Sequence, residues 1–543
     1  MSIPVNFLTW ICALLPILAI LMLMVYCKWS ASKAGCVGWF IALVVALLVF
    51  KDNLNNLAFS NARGMVMAFY VLYIIWGALF LYHVVDEVGG IESIGATFVE
   101  MTRNRILQLL MVGFAFVTFL QGVAGFGVPV AVGAPLLVGL GFDPVTAVAV
   151  PLIGHSWSVT FGDMASSFAA LQASTGLPGE ELAPYTAAFT GLAGIFCAFF
   201  AIHCFAGFNG IKKGWGVALI VAGCMSATQW LVAQWQPSLA TFLAGIVGMI
   251  VVAVLTRLPK YRKETADAEV LDSETLAEAA AGTEEFKGRT FVKKMPFKLA
   301  FAAYFALIII VALQEFVPGL EDTMKQYIVL KLNFPQYQTA YGWVTEAGWS
   351  SKVSVVGHVG ALLVYAGIAG IIVYSITGHW KPGTFKTVIG KVAKDGTGSS
   401  LATTAMVLMA FIMVESGMTY TLAKGISVGL GAIYPVFAPL VGVLGAFMTG
   451  SNTNSNVMFG AFQAQVASLL GVSTLIMASV QSAGGSIGSM LAPAKVIVGT
   501  STVGLTGREG EVIGKTLKYC LILGVILGII AWLLLYVFLK TVK

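Results

Sequence analysis

The chain has 543 residues, of which 58% are hydrophobic and only 10% are charged, and its formal net charge is +6 at pH 7. Because a soluble globular protein carries about 25% charged residues, this composition excludes a soluble domain and indicates a surface that mostly faces lipid. The basic residues lie in short loops between apolar segments, which is typical of membrane topology signals rather than of a nucleic-acid-binding surface.

Apolar segments recur along the chain at the length of roughly 20 residues that a membrane-spanning helix needs. The first contains the run from Phe7 to Tyr26 and is predicted as a transmembrane helix rather than a signal peptide, because no basic residue precedes it. This pattern predicts an all-α fold, a polytopic transmembrane helix bundle of about 12 to 14 spans. Full or partial spans are predicted at 6–27, 34–50, 64–85, 105–120, 143–162, 185–207, 214–234, 238–256, 298–314, 356–376, 400–421, 430–448, 463–480 and 517–539.

A long charged stretch divides the chain into a first membrane half at 1–256, a cytoplasmic linker at 257–297 and a second membrane half at 298–543. Basic loops lie in the cytoplasm by the positive-inside rule. The loops predicted inside are 28–33, 86–105, 208–213, 257–298, 377–399 and 508–518. The loops predicted outside are 51–63, 170–184 and 315–355.

Two segments, one in each half, share the same plan. Each has a span, an F-x-x-G sequence at 119–122 or 447–450, a polar or glycine-rich break, and two apolar runs separated by Leu-Gly at 140–141 or 470–471. The positive-inside rule gives the two segments opposite orientations. We therefore predict inverted repeats with broken or re-entrant helices, in which the substrate site lies where the repeats meet near the middle of the membrane.

The first break, QGVAGFGVP at 121–129, contains three glycines and a proline, which disfavour a continuous helix. A half-helix that restarts after such a break has free backbone N–H groups and a positive dipole end, which can bind a carboxylate. The alternative is a glycine kink that only permits close helix packing. The predicted substrate-binding residues of this break are Gln121, Gly125, Phe126 and Gly127.

The second break, TGSNTNSN at 449–456, places eight small or polar residues between apolar spans. Such residues are costly at membrane depth unless they line a cavity or bind an ion. Their hydroxyls and amides suit a polar organic anion or a sodium ion held by oxygens, whereas the alternative is an extramembrane loop. The predicted substrate-binding residues here are Ser451, Asn452, Thr453, Asn454, Ser455 and Asn456.

Two further segments, 154–167 and 481–495, are rich in small residues and hydroxyls and occupy corresponding places in the two halves. Lys495 is a candidate partner for the anion, or alternatively a lysine that snorkels to the membrane surface. Ionisable side chains inside apolar segments are functional candidates, with interfacial or structural roles as the alternative. The candidates for ion coupling are Asp163, Glu415 and His155.

Three motifs resemble the lactate permease family, and the resemblance follows the chain in order over nearly its whole length. They are A-G-F-G-x-P-V-A at 124–131, T-G-S-N-T-N-S-N at 449–456, and G-G-S-I-G-S-M-L-A-P with the later V-G-L-T-G-R-E. The resemblance implies a multi-pass permease of the bacterial or archaeal cytoplasmic membrane for lactate, glycolate and related 2-hydroxy monocarboxylates, with proton-coupled symport. The family motifs fall on Gln121, Gly122, Ala124, Gly125, Phe126, Gly127 and Pro129, and on Thr449, Gly450, Ser451, Asn452, Thr453, Ser455 and Asn456.

The chain departs from the family pattern at its charged positions. Gln121 and Asn452 stand where the family usually has Glu and Asp, whereas Asp163 and Glu415 stand where the pattern is uncharged. A side chain that cannot titrate cannot carry a proton. Either the coupling carboxylate has moved to Asp163 or Glu415, or the coupling ion has changed, or the substrate differs.

The predicted function is secondary active transport by alternating access: import of L-lactate, D-lactate or glycolate with a coupling cation, either a proton or a sodium ion. We predict no enzymatic activity, cofactor, metal site or nucleic-acid partner; the partners are the monocarboxylate anion and membrane lipid, with no prediction of oligomeric state. The alternatives are transport of another organic anion, such as a sulfonated hydroxy acid, a passive uniporter or channel, and a membrane-embedded enzyme.

Overall fold

A computed structural model describes residues 3–25, 27, 29–99, 102–123, 125, 127–259, 261, 294–350, 352–505 and 508–538. Most of the predicted linker at 257–297, and Phe126, lie outside the described residues. Within them, eight helices are long and apolar enough to span a membrane, and a bent pair, Met418–Gly429 with Gly431–Phe447, passes the same test. The predicted class, an all-helical polytopic membrane protein with broken helices, is confirmed.

The helices are numbered in chain order. They are α1 (Phe7–Val25), α2 (Ala31–Leu48), α3 (Leu54–Glu87), α4 (Gly90–Val99), α5 (Arg105–Val123, with a π-helical part at Met111–Phe116), α6 (Val128–Gly139), α7 (Pro144–Ser156), α8 (Gly162–Thr175), α9 (Gly179–Ala233), α10 (Pro237–Leu255), α11 (Phe297–Ala300), α12 (Ala302–Phe316), α13 (Leu320–Gln326), α14 (Val359–Ile376), α15 (Thr384–Glu415), α16 (Met418–Gly429), α17 (Tyr434–Thr449), α18 (Asn452–Leu470), α19 (Thr474–Gly488), α20 (Pro493–Thr502) and α21 (Glu509–Leu533).

Helices α5–α9 and α17–α21 repeat one order of elements: a long helix, a break, a helical hairpin, a second break, a short helix and a long helix. Each hairpin turn contains a glycine in the left-handed conformation, Gly141 (φ 84°) or Gly471 (φ 67°), which costs a residue without a Cβ little. The next helix begins at a side-chain cap, Asp143 in the first unit and Ser473 in the second. Local sequence therefore builds the same hairpin twice.

The two units pack reciprocally. Helix α9 packs against α19 as α21 packs against α7, and α8 packs against α18 as α20 packs against α6. Such exchange of equivalent contacts is what a two-fold relation produces. The first hairpin turn lies beside Arg105, whose guanidinium donates to the carbonyls of Leu140 (2.5 Å) and Gly141 (3.0 Å). In the second unit Gly460 packs against Ser174, at the opposite end of α8 from the break, so the two hairpins extend in opposite directions, as predicted.

Several predicted spans differ from the observed helices, and four of them contain a break, a turn or a bend that the sequence did not predict. The span predicted at 143–162 ends at Ser156, because residues 157–161 leave the helical conformation. The span predicted at 463–480 crosses the turn between α18 and α19, and 400–421 crosses Gly417, whose φ of 85° ends α15. The predicted span 430–448 proves to be part of the 105° bend with α16. Apolar content alone does not reveal a turn inside a buried hairpin, because both of its arms are equally apolar.

A β-ribbon occupies the loop predicted at 315–355, where the sequence indicated no strands. Its antiparallel pairs are Val329–Leu330 with Val353–Ser354, Asn333–Phe334 with Gly348–Trp349, and Tyr337–Gln338 with Val344–Thr345. The ribbon lies on the start of α3, because the amide of Asn56 donates to Gln338 O at 2.9 Å and Ala340 N donates to Lys51 O at 3.1 Å. Loops that the charge pattern placed outside therefore meet each other.

Candidate functional site

Four helix breaks, two from each repeat, meet around one cavity of 290 Å³. The breaks lie between α5 and α6, α7 and α8, α17 and α18, and α19 and α20. We call this space the central cavity. It is lined by Ser32, Ile75, Gly125, Val159, Asp163, Ser167, Gly398, Ala402, Thr449, Gly450, Ser451, Asn452, Thr453, Asn454, Ala494, Lys495 and Val498. The structure thus brings predicted residues from both repeats and from separate segments into one site.

The first break ends α5 at Val123, and α6 begins at Val128 after Gly127, which adopts a left-handed φ of 88°. The backbone N–H of Gly125 donates to the Asp163 carboxylate. A Cβ added at Gly125 would lie 2.7 Å from Nε2 of Gln121, so glycine is required for this close approach. The free backbone donor predicted for a substrate therefore binds the protein's own carboxylate here.

The backbone of Asp163, Met164 and Ala165 is left-handed, with φ of 47°, 51° and 62°. Left-handed geometry costs a residue with a Cβ roughly 1–2 kcal/mol, so the surrounding packing must hold this segment in place. Strain of this kind concentrates at functional sites. The left-handed backbone directs the Asp163 carboxylate from the start of α8 towards Gly125 and the central cavity.

The second break is shorter than predicted. Only Gly450 and Ser451 are non-helical, and residues 452–456 form the first turn of α18. The reason is a helix cap: Gly450 ends α17 in the left-handed conformation, and Ser451 Oγ accepts a hydrogen bond from Asn454 N at 3.4 Å. The polar run is therefore the capped start of a helix beside the cavity. It is neither an unwound helical segment nor an extramembrane loop.

Buried polar side chains join the two repeats behind this helix start. The Asn452 amide donates to Thr160 Oγ1 at 3.0 Å, and Thr160 Oγ1 lies 3.1 Å from Ser482 Oγ. The Asn456 amide donates to Ser482 Oγ and to Ser167 O, both at 2.9 Å. Because these contacts fix the donor ends of both asparagine amides, their oxygen ends point elsewhere.

Several amide oxygens at the site have no hydrogen-bond partner among the described residues. They are Oδ1 of Asn452, Asn454 and Asn456 and Oε1 of Gln121, whose Nε2 is also unpaired. A buried polar atom without a partner costs free energy, and its presence next to a cavity is a sign of ligand binding. These acceptors match a hydroxyl donor or a cation. Ser455, by contrast, is occupied within the protein, because its hydroxyl donates to Gly442 O at 2.9 Å.

Lys495 lies in α20 and is only 6% exposed, so it does not snorkel to the membrane surface. Its ammonium lies 3.4 Å from Nε2 of His155. The other ring nitrogen, Nδ1, lies 2.7 Å from Pro151 O, and because a carbonyl only accepts, Nδ1 carries the hydrogen. His155 is therefore a neutral acceptor that orients the lysine, and it does not itself line the cavity.

Asp163 and Lys495 both line the central cavity, yet among the described residues they form no ion pair within 4.0 Å. The carboxylate is held by Gly125 N–H and the ammonium by His155. The site thus has one negative and one positive group, each fixed separately. An anion can therefore approach the ammonium without first breaking a salt bridge.

Glu415 does not join this site. It lines a second cavity of 170 Å³, together with Met67, Ala173, Ser174, Thr175, Gly176, Ala410, Phe411, Val414, Val457 and Ala461. Its carboxylate accepts from Tyr337 OH at 2.5 Å and from Arg63 Nη1 at 3.3 Å. The sequence offered two ion-coupling carboxylates, and the structure places only Asp163 beside the substrate-binding candidates.

Sequence reasoning missed several residues of the two cavities. Ser32, Ile75, Gly398 and Ala402 come from α2, α3 and α15, which the sequence did not connect with the two breaks, although Gly398 lies in the polar run D-G-T-G-S-S at 395–400. Thr160 and Ser482 lay within the hydroxyl-rich segments but were not singled out. Arg63 lies at the edge of an apolar run, and a charged residue in that position is a signal of function.

Two repeated units whose broken helices meet at a polar cavity are the arrangement found in inverted-repeat transporters. The chain belongs to the L-lactate permease family, whose model matches residues 9–538. It is a multi-pass protein of the bacterial cytoplasmic membrane and, by family, a permease rather than an enzyme.

Curated relatives agree with this family assignment, and a solved structure shares the fold. The chain is 28% identical to the L-lactate permease of Bacillus subtilis (97% of this chain, 96% of the relative). It is 26% identical to the glycolate permease GlcA of Escherichia coli (97% and 95%). The crystal structure of the YdaH transporter from Alcanivorax borkumensis superposes with a TM-score of 0.50 at 14% identity, covering 96% of this chain and 98% of that one. This likeness shows the fold alone.

Proposed function

We propose that the protein imports a small 2-hydroxy monocarboxylate, such as lactate or glycolate, together with a proton that binds at Asp163. The observation that carries the proposal is the central cavity, where Lys495 and Asp163 lie among unpaired amide oxygens at the meeting point of the two repeats. The substrate class is supported by the names of the relatives, which are L-lactate and glycolate permeases.

The ammonium of Lys495 is the binding partner for the substrate carboxylate. It is buried, and its hydrogen-bond contact among the described residues is with the neutral His155. A carboxylate that enters the cavity therefore gains a charge-assisted hydrogen bond in a low-dielectric site. The substrate hydroxyl then donates to an unpaired amide oxygen, for which Asn454 is the candidate that lines the cavity, because Asn452 Oδ1 packs against Gly485.

Charge balance explains the coupling. The empty site holds Asp163 and Lys495 and is neutral, and an anion alone makes it negative. Uptake of a proton by Asp163 restores neutrality, so the loaded and empty sites carry the same charge through the membrane. Since an uncompensated charge in a low-dielectric interior costs several kcal/mol, the anion without its proton crosses poorly. When Asp163 is protonated it no longer attracts the Lys495 ammonium, so the substrate carboxylate becomes the anionic partner of that ammonium.

The test is uptake of radiolabelled L-lactate by purified protein in proteoliposomes, with proton and sodium gradients imposed separately. An inward proton gradient should drive accumulation, and a proton ionophore should abolish it. Unlabelled glycolate should compete, whereas propionate, which lacks the hydroxyl, should compete roughly tenfold more weakly because an unpaired acceptor is left behind.

The other outcomes separate the alternatives. Accumulation that follows only the sodium gradient would contradict the proton site and point to the amide oxygens as sodium ligands. Saturable uptake that never exceeds equilibrium would indicate a uniporter. Counterflow that ignores lactate and glycolate but responds to a sulfonated hydroxy acid would contradict the substrate.

A further inference from the structure

The second cavity continues the route of the central cavity along the same four helices. On α3 the lining residues are Ile75 in the central cavity and Met67 in the second. On α15 they are Ala402 in the central cavity and Ala410 in the second. Each pair is separated by eight residues, or roughly 12 Å of helix. Helices α8 and α18 likewise pass from one cavity to the other.

Polar contacts between α8 and α18, here called the polar layer, lie at the central cavity and at the second cavity. Ser167 and Thr453 share a hydrogen bond of 2.9 Å between α8 and α18. Seven residues further along α8, Ser174 Oγ donates a hydrogen bond to Asn456 O at 3.0 Å. These contacts join the two repeats, and hydroxyl hydrogen bonds between small side chains exchange at low cost. Movement of one repeat against the other would open this layer.

The two cavities lie towards opposite sides of the membrane. The central cavity reaches Ser32 and Gly398, which share a hydrogen bond of 2.9 Å and belong to loops predicted inside. The second cavity reaches Gly176 and Glu415. Gly176 belongs to a loop predicted outside, and Glu415 is bonded to Tyr337 of the ribbon, also predicted outside.

From this arrangement we infer that the second cavity is the outer half of the transport pathway and that Arg63 neutralises Glu415 so that an anion can enter it. The proposed function supplies the identity of the solute, and the geometry supplies the route. The ion pair is 3.3 Å long, with side chains 15% and 6% exposed. An unpaired carboxylate at this depth would repel the anion, because like charges interact strongly where water is scarce.

The ribbon holds the pair in place. The Arg63 guanidinium lies 5.0 Å from the ring centroid of Phe334 and 5.7 Å from that of Tyr337, and its Nη2 donates to Glu346 O at 3.0 Å. Burial and the nearby Glu415 carboxylate raise the pKa of Tyr337, so its hydroxyl stays protonated and donates to Glu415. The ribbon thus contributes both a donor and a cation–π surface to the mouth of the pathway.

The first experiment needs no substrate. Ala461→Cys, in the second cavity, and Val498→Cys, in the central cavity, are labelled with a membrane-impermeant maleimide in right-side-out and inside-out vesicles, and the label is located by mass spectrometry. Ala461→Cys should react from the outside and Val498→Cys from the cytoplasmic side. Ala467→Cys, on the same helix as Ala461 but 0% exposed, is the control and should stay unlabelled. Labelling of Ala461→Cys from the cytoplasmic side alone, or no labelling, overturns the inference.

The second experiment tests the charge. In intact cells Arg63→Gln should lower the initial rate of lactate uptake roughly tenfold, and the double variant Arg63→Gln/Glu415→Gln should recover to within about twofold. The exposed pair of Lys325 and Glu321 gives a matched control, in which Lys325→Gln leaves the rate unchanged. A double variant as slow as the single one contradicts the neutralising role. If the labelling pattern holds and no lactate moves, the route stands and only the proposed solute fails.

Discussion

Among the described residues, one carboxylate lines the central cavity and one lines the second cavity, but only the carboxylate of the second cavity forms an ion pair. Glu415 is bonded to Arg63 and to Tyr337, whereas Asp163 accepts from a backbone N–H and Lys495 contacts a neutral histidine. A carboxylate and a guanidinium that are paired with each other give the cavity a surface without net charge, because neither charge is available to a ligand. Two charges fixed apart leave both groups available.

The same difference holds for the uncharged groups. The central cavity is bordered by asparagine oxygens without partners, whereas the second cavity is lined largely by Ala173, Ala410, Phe411, Val414, Val457 and Ala461. Polar atoms left unpaired make a binding site, and small apolar side chains make a passage that holds a solute weakly. Binding and passage are thus separated along one route.

The largest effect is expected at Lys495. In Lys495→Gln the substrate carboxylate loses its charged partner, and truncating one member of a buried charge pair costs about 2–5 kcal/mol. Lactate uptake at low concentration should fall roughly 100-fold, as measured by initial rates in proteoliposomes. Lys394→Gln, which changes an exposed lysine of α15, should behave as the parent protein. Normal affinity in Lys495→Gln would remove the central cavity as the anion site.

Asp163→Asn should separate coupling from binding. The variant cannot carry a proton, so accumulation driven by a proton gradient should be lost, with a fall of about tenfold or more in the steady-state gradient. Lactate counterflow should continue, because Lys495 still binds the anion. The measurement is the two assays side by side on one preparation. Proton-driven accumulation by Asp163→Asn at the parent level would contradict the proposed coupling.

Gly125→Ala tests the close packing between the first break and Asp163. The added Cβ would lie 2.7 Å from the Gln121 amide and would also meet the Asp163 carboxylate. Overpacking of this kind costs about 1–3 kcal/mol, so we expect transport to fall several-fold and the thermal midpoint in detergent to drop. Gly216→Ala, where a Cβ meets nothing within 4 Å, is the control. If both variants match the parent, the contact has no functional importance.

The smallest effect is expected at Glu415, and it sharpens the comparison of the two carboxylates. Glu415→Gln keeps Arg63 beside the pathway and leaves the central cavity intact, so proton-driven accumulation should stay within about twofold of the parent. The same steady-state assay as for Asp163→Asn gives the answer. Loss of accumulation in Glu415→Gln would indicate that Glu415, rather than Asp163, binds the coupling proton. The roles proposed for the two cavities would then be wrong.

The amino-acid sequence alone determined the membrane class and the repeated plan of the two units, and it located the breaks after Val123 and Thr449 but not the break after Ser156. These depend on local properties: runs of apolar side chains, glycine and proline at turns, and capping residues such as Asp143 and Ser473. The motifs at 121–129 and 449–456 both contribute residues to the central cavity. The extent of the second break was predicted wrongly, because a polar run that starts a capped helix has the same composition as an unwound one.

Only the tertiary structure decided which charged groups act together. Asp163 and Glu415 look alike in sequence, as isolated acids in apolar segments. Their partners, Gly125 and Arg63, lie 38 and 352 residues away along the chain. Charge pairing depends on distances of a few ångströms across packed helices, and a single sequence records no such distances. The crossing of α8 with α18, which places the two cavities in line, is decided in the same way by the packing of whole helices.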